Sequence, residues 1–237
     1  MLLPTMPPPR KPELDVSTLA ARVRDHGREG QLFLNSVLVS VAVANAAYVF
    51  ALLLASGITP ILWLPFMLAS FGIVLITFSG SSTTSMLIVS LADWRDGVIQ
   101  LLQAMTMFLM FSMLIPAHST LPLLIDWYAV VAAHALIGGL AIQSMAARIK
   151  RTQYEPAIRE AVETHLKMMR RSTVAAISSG GFWLAVWLWI RLWVLPEHPI
   201  FLRFQGILGL VALAISIAVL AIIERGRRIF AALIPDA

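Results

Sequence analysis

Residues 183–199, WLAVWLWIRLWVLPEHP, place an arginine inside a run of tryptophan, leucine and valine, and close the run with Pro196 and Pro199. Read with the residues before it, the stretch extends from Ser172 to Leu195 with a single charge. A bilayer's hydrocarbon core of ~30 Å needs ~20 apolar residues per helix, so this length reads as a span. Five more runs satisfy the same ruler: Gln31 to Ala55, Pro60 to Ser79, Gly97 to Pro116, Leu123 to Ala146 and Leu202 to Ile223. The predicted fold is an all-α membrane protein, a six-span helical bundle over residues 31–223. Gly57 with Pro60, Pro116 with Pro122, and Pro196 with Pro199 punctuate three short extracytoplasmic hairpins.

Composition agrees. The 237 residues are 59% hydrophobic and 13% charged, with mean hydropathy +0.81, whereas soluble domains are about half apolar and about a quarter charged. The pI near 10.2 does not point to nucleic acid, because the basic residues cluster between apolar runs and not on a polar folded face. There is no cysteine, which excludes disulfides, thiolate metal sites and Cys-ligated clusters. Sixteen of the 18 Lys and Arg residues fall before the first run, between the second and third, between the fourth and fifth, or after the sixth. The positive-inside rule then predicts a multi-pass protein of the cell (inner or plasma) membrane with both termini cytoplasmic.

Outside the spans the chain divides into three pieces. Residues 1–30 read as a proline-rich tail and a short interfacial amphipathic helix with Val16, Leu19, Ala20 and Val23 on one face and Ser17 as N-cap. Thirty hydrophilic residues ahead of a 25-residue apolar run are too many for a signal peptide. Residues 148–171 read as a cytoplasmic helix of about four turns, with His165 on its surface. Its Arg148, Lys150, Arg151, Arg170 and Arg171 are predicted to face anionic lipid headgroups or a partner. Residues 224–237 form a basic tail.

Between spans two and three, "SGSSTTSMLIVSLADWRDG" joins a Ser/Thr linker to an apolar stretch, Met86 to Ala92, too short to span. The Ser/Thr run is similar to covalent-flavin attachment sequences of ion-pumping redox complexes, but lacks the alanine that usually precedes the modified threonine; no cofactor is expected. An interfacial N-terminal helix, six spans and a cytoplasmic element between the second and third together resemble the membrane half of one class of ABC exporter. There "ADWRDGVIQLL" stands at the place of the coupling helix, without that family's Glu-Arg-rich, Gly-Thr pattern, and the long helix between spans four and five departs from it.

Polar residues within the spans are the candidate sites. Asn45, Ser70, Thr106 and His134 each fall within about a turn of the midpoint of spans one to four. Ser and Thr hydroxyls can return to their own helix, whereas Asn45 and His134 need partners that hydrocarbon does not offer, either an interhelical hydrogen bond that holds the bundle together or a transport or ligand site. Both are flanked by alanines, "VAVANAAYV" and "VVAAHALIG", in the first helix of each three-span half. Transporters with inverted repeats place a site at midplane in that way. Arg191 lies ~6 Å from the outer boundary at 1.5 Å per residue, at the depth of Asp126. Either the two form an outer-leaflet ion pair, with Trp187 against the guanidinium, or Arg191 snorkels to the interface within an aromatic belt with Trp189 and Trp193.

Absences limit the function. No Asp or Glu lies deep in a span, one membrane histidine does not make a bis-His haem site, and neither metal-ligand spacing nor a nucleophile–base pair is present. No metal site is expected, and a membrane-embedded enzyme is the third choice after the two readings that follow. The composition and central polar residues predict a transport-type protein, a pore or permease subunit of a larger or homo-oligomeric assembly. The alternative is a non-transporting scaffold subunit whose small-residue seams, Ser36, Ser40 and Ala44, Ala135 and Gly139, Gly180 and Gly181, and Gly206 and Gly209, serve only assembly. A continuous polar lining favours the first and a dry, packed bundle the second. Expected partners are the bilayer, anionic lipids, and other membrane subunits or copies of itself, with no nucleic acid.

Overall fold

The computed structural model describes residues 28–85, 94–115, 122–151, 154, 156–193 and 199–232. They form six helices: α1 (Arg28–Ala55), α2 (Pro60–Ser85), α3 (Trp94–Ser112), α4 (Pro122–Arg151), α5 (Pro156–Trp193) and α6 (Pro199–Ala232). Among the described residues there is no strand. Four helices open on proline, which has no N–H to leave unsatisfied in a first turn and a φ already set for helix. The α1–α2 turn needs Gly57, whose φ of 69° is left-handed. The Ser56 hydroxyl donates to the Leu53 carbonyl at 2.7 Å, and the Trp63 indole donates to the Ile58 carbonyl at 3.2 Å.

Four helices carry stretches long and apolar enough to cross a membrane: Leu62–Ser79, Leu124–Arg151, Arg159–Trp193 and Phe204–Gly226. The apolar parts of α1 and α3, Ser40–Ala55 and Gly97–Ser112, are shorter. Large apolar side chains cover the exterior, among them Leu54, Leu101, Leu192, Trp193 and Ile222, each more than half exposed. Such a continuous apolar exterior suits lipid and not water.

Cross-helix pairs fix the threading. Gly139 meets Ile177 and Gly180 meets Leu136, so α4 and α5 run antiparallel. Gly72 meets Ser216 and Gly209 meets Phe66, so α2 and α6 are parallel. Trp127 bonds Ser70 and His134 bonds Thr77, which makes α2 and α4 parallel in a seven-residue register. Gln103 lies against Gly138 and Thr106 against His134, so α3 opposes α4. Consecutive helices therefore alternate in direction from α2 to α6.

Three local expectations change. The Ser/Thr run through Ser85 is the last part of α2, not a linker; residues 86–93 lie outside the described set, as do the proline-rich tail and the 16–23 amphipathic segment. The cytoplasmic helix expected over 148–171 is not a separate element. Arg148, Lys150 and Arg151 end α4, and from Pro156 a single helix of 38 residues continues to Trp193. At 1.5 Å per residue α5 is ~57 Å long, nearly twice the hydrocarbon thickness. Its amphipathic first half packs back on the end of α4 through Ile149, Val162 and Met169. His165 turns into this hairpin and is buried, not on the surface.

The main core lies toward the end of the bundle that holds the α1–α2 turn. Trp127 sits among Phe66, Tyr128 and Trp183, with ring centroids 5.0, 5.5 and 6.2 Å away, all edge-to-face, while Tyr128 stacks on Trp183 at 5.6 Å. Stacking holds the Tyr128 hydroxyl where it has no hydrogen-bond partner among the described residues. A buried unsatisfied hydroxyl costs about 1–3 kcal/mol. Tyr128→Phe is therefore expected to leave stability unchanged or raise it in thermal unfolding in detergent; a clear loss would reveal a partner for the hydroxyl.

Candidate functional site

His134 joins three helices. Its Nδ1 lies 2.7 Å from the Thr106 hydroxyl of α3 and its Nε2 lies 2.9 Å from the Thr77 hydroxyl of α2. Each hydroxyl also reaches backbone of its own helix: Thr106 donates to the Leu102 and Gln103 carbonyls at 3.0 and 2.9 Å, and Thr77 to the Ile73 carbonyl at 3.0 Å. A hydroxyl carries one proton and a neutral imidazole one N–H. With a neutral ring, one threonine accepts from the ring and donates to its helix, while the other turns its proton to the remaining ring nitrogen. Either tautomer is accommodated when the two hydroxyls rotate to exchange roles, and no polar atom of this joint is left unpaired.

Asn45 does not share this site. Its amide nitrogen donates to the Phe108 carbonyl at 3.0 Å and to the Ser112 hydroxyl at 3.3 Å, tying α1 to α3. Positions 106 and 108 are ~200° apart around a helix, so Asn45 and His134 hold α3 from opposite sides. They are not equivalent either: Asn45 bonds within the first three helices, whereas His134 bonds two helices of the other half. Ser70 is also separate, donating to the Phe66 carbonyl at 2.9 Å and accepting from the Trp127 indole at 3.1 Å. Of the four residues expected together, the structure brings together only Thr106 and His134.

Depth changes as well. Thr77, level with His134, lies two residues from the end of the apolar stretch Leu62–Ser79, while Ser70, level with Trp127, lies near its centre. Seven residues at 1.5 Å put the His134 layer ~10 Å from the Ser70 layer, toward the end that carries Arg170, Arg171, Arg225 and Arg228 (the basic end). Trp127 stands on the same seven-residue stripe as His134 in the sequence, whereas Thr77 does not stand out there. The signal is that Ser70 to Thr77 and Trp127 to His134 are both seven residues, the period of a packed parallel pair.

The ion pair expected between Asp126 and Arg191 is not formed. Asp126 accepts from the Trp187 indole at 3.2 Å, and Arg191, one turn further along α5, is exposed. Equal depth did not mean equal face. Of the basic residues expected at lipid headgroups, Lys150, Arg151, Arg170 and Arg171 are exposed and Arg148 is half-buried. The α4–α5 register sets Arg170 and Arg171 roughly two turns, ~10 Å, nearer the bundle centre than Lys150. Lys150 and Arg159 flank a groove of about 440 Å³ at the base of the hairpin, floored by Ile149, Val162 and Leu166.

The His134 joint sets a measurable cost. His134→Leu removes two interhelical bonds, each worth ~0.6–2 kcal/mol in a membrane bundle, but Thr77 and Thr106 keep their own carbonyls. The expected loss is therefore about 1–3 kcal/mol, and His134→Leu combined with Thr77→Val should cost scarcely more than His134→Leu alone. Unfolding of the three variants in detergent checks this; fully additive losses would show that Thr77 has another role.

Among the described residues no group of three His, Asp or Glu side chains can hold a metal ion. No protein-family model, no curated protein and no solved structure matches this chain.

Proposed function

We propose that this chain is a six-span membrane subunit whose bundle serves assembly, a scaffold for other membrane chains or for further copies of itself, and not a route for solute through its own centre. Both ends lie on the cytoplasmic side of the cell membrane, where the basic end meets anionic headgroups. One observation carries this reading: Asn45, Ser70, Thr77, Thr106 and His134 are all engaged in bonds between or within helices, and the layer that holds Ser70 is packed with aromatic rings. Ser70, Phe66 and Trp127 are 0% exposed, so among the described residues no polar lining runs continuously from end to end. Extraction from native membranes in mild detergent is expected to yield the chain within a larger assembly, with loss of His134 bonds reducing the amount assembled. Recovery of a lone monomer that passes ions or solute would sink the proposal.

Transport, with a path past Asn45 and His134, is the second reading. The observation in its favour is an imidazole held inside the bundle between two hydroxyls.

A further inference from the structure

We infer that a narrow aqueous recess enters the bundle from its basic end between α3 and α4 and stops at His134, binding water and giving the imidazole proton exchange with that side alone. The inference needs the membrane reading but neither the scaffold nor the transport proposal.

Three observations carry it. Gln100 and Gln103 of α3 are half-buried, and neither side-chain amide has a partner among the described residues. An amide has two donors and an acceptor, and leaving them unpaired in hydrocarbon costs several kcal/mol, so water is the partner that remains. Opposite Gln103, one turn from His134, stands Gly138, whose missing side chain lets the Gln103 amide nitrogen approach to ordinary contact, 3.9 Å from where a Cβ would lie. Gly138 has no side-chain polar atom to pair with that amide. Exposure then falls with depth: half-buried at Gln100 and Gln103, 8% at Thr106, 5% at His134, and 0% at Ser70 and Trp127. The polar wall ends on the threonine–histidine joint, and the aromatic layer seals what lies beyond.

The protein has no cysteine of its own, so single cysteines report position directly. A thiol reacts as its thiolate, which forms only where water reaches it; cysteine at Gln103 or Gln100 should therefore react at least about tenfold faster with a charged, membrane-impermeant thiol reagent than cysteine at Leu101. Leu101 lies at the same depth on the outward face of α3 and is 60% exposed, so it reports lipid. The fast reaction should come from the basic side only in oriented vesicles, and Ser70→Cys should not react from either side. Gln100→Cys, nearer the surface, tests the recess if Gln103→Cys does not fold. Rates at both glutamine positions no faster than at Leu101 would overturn the recess. Equal rates from the two sides, or reaction at Ser70→Cys, would overturn its closed end.

Discussion

Replacing Gly180 with valine should pull α5 away from α4. A Cβ at Gly180 would lie 2.7 and 2.9 Å from Leu136 Cγ and Cδ2, and 3.1 Å from the Ala132 carbonyl oxygen. The carbonyl belongs to a helix and cannot turn aside, so the helices themselves must separate. Overpacking of this kind costs about 1–3 kcal/mol, sometimes more. Inside a bilayer the penalty is hard to recover, because association there depends on close packing and not on expulsion of water. Gly181 is the control, since nothing lies within 4 Å of a Cβ added there; Gly181→Val should stay within ~0.5 kcal/mol of the parent. Unfolding of the two variants in the same detergent decides the matter, and equal losses would mean that α4 and α5 do not meet at Gly180.

Trp127→Ala is the second large effect, expected at ~3–5 kcal/mol. It removes a fully buried indole that touches Phe66, Tyr128 and Trp183 and leaves a cavity bounded by rigid rings. Ser70→Ala isolates the polar part of that interaction. It strands the Trp127 N–H, otherwise bonded at 3.1 Å, at a cost of about 1–3 kcal/mol, while the ring packing stays. The account requires Trp127→Ala to be the worse of the two in thermal unfolding; the reverse order would mean that the hydrogen bond, not the rings, holds α2 to α4.

These residues also show what was legible in the amino-acid sequence. That the chain is helical and built for an apolar surround follows from its long runs of Leu, Val, Ala and Ile, and prolines 60, 122 and 199 stand at helix starts. Where charged or hydroxyl side chains interrupt an apolar run, a span can end without the helix ending. That is why α5 continues through Arg170 and Arg171 as one element, and why α2 continues through its Ser/Thr run. Position along a single span does not carry the stagger between neighbouring helices. The α2–α4 register moved His134 off the level of Ser70 and gave it Thr77 as a partner.

Face was the other missing quantity. Asn45 and His134 both bond α3, but from opposite sides, and Arg191 shares the depth of Asp126 without turning toward it. Small residues were legible only as a class. Gly139, Gly180 and Gly209 sit where helices touch, whereas Gly181 and Gly206 face open space and Ser40 and Ala44 are exposed. Hydropathy does not say which of two adjacent glycines faces the neighbouring helix; the crossing of α4 and α5 does.

The claim that the bundle is sealed at its aromatic layer is tested most directly by flux through the purified chain. Reconstituted in liposomes at known copy number, with proton, potassium and small-solute gradients imposed in turn, the protein is predicted to leak no faster than empty liposomes. A flux above that background which falls on His134→Gln would contradict the sealed bundle and place a conducting path through the joint of Thr77, Thr106 and His134.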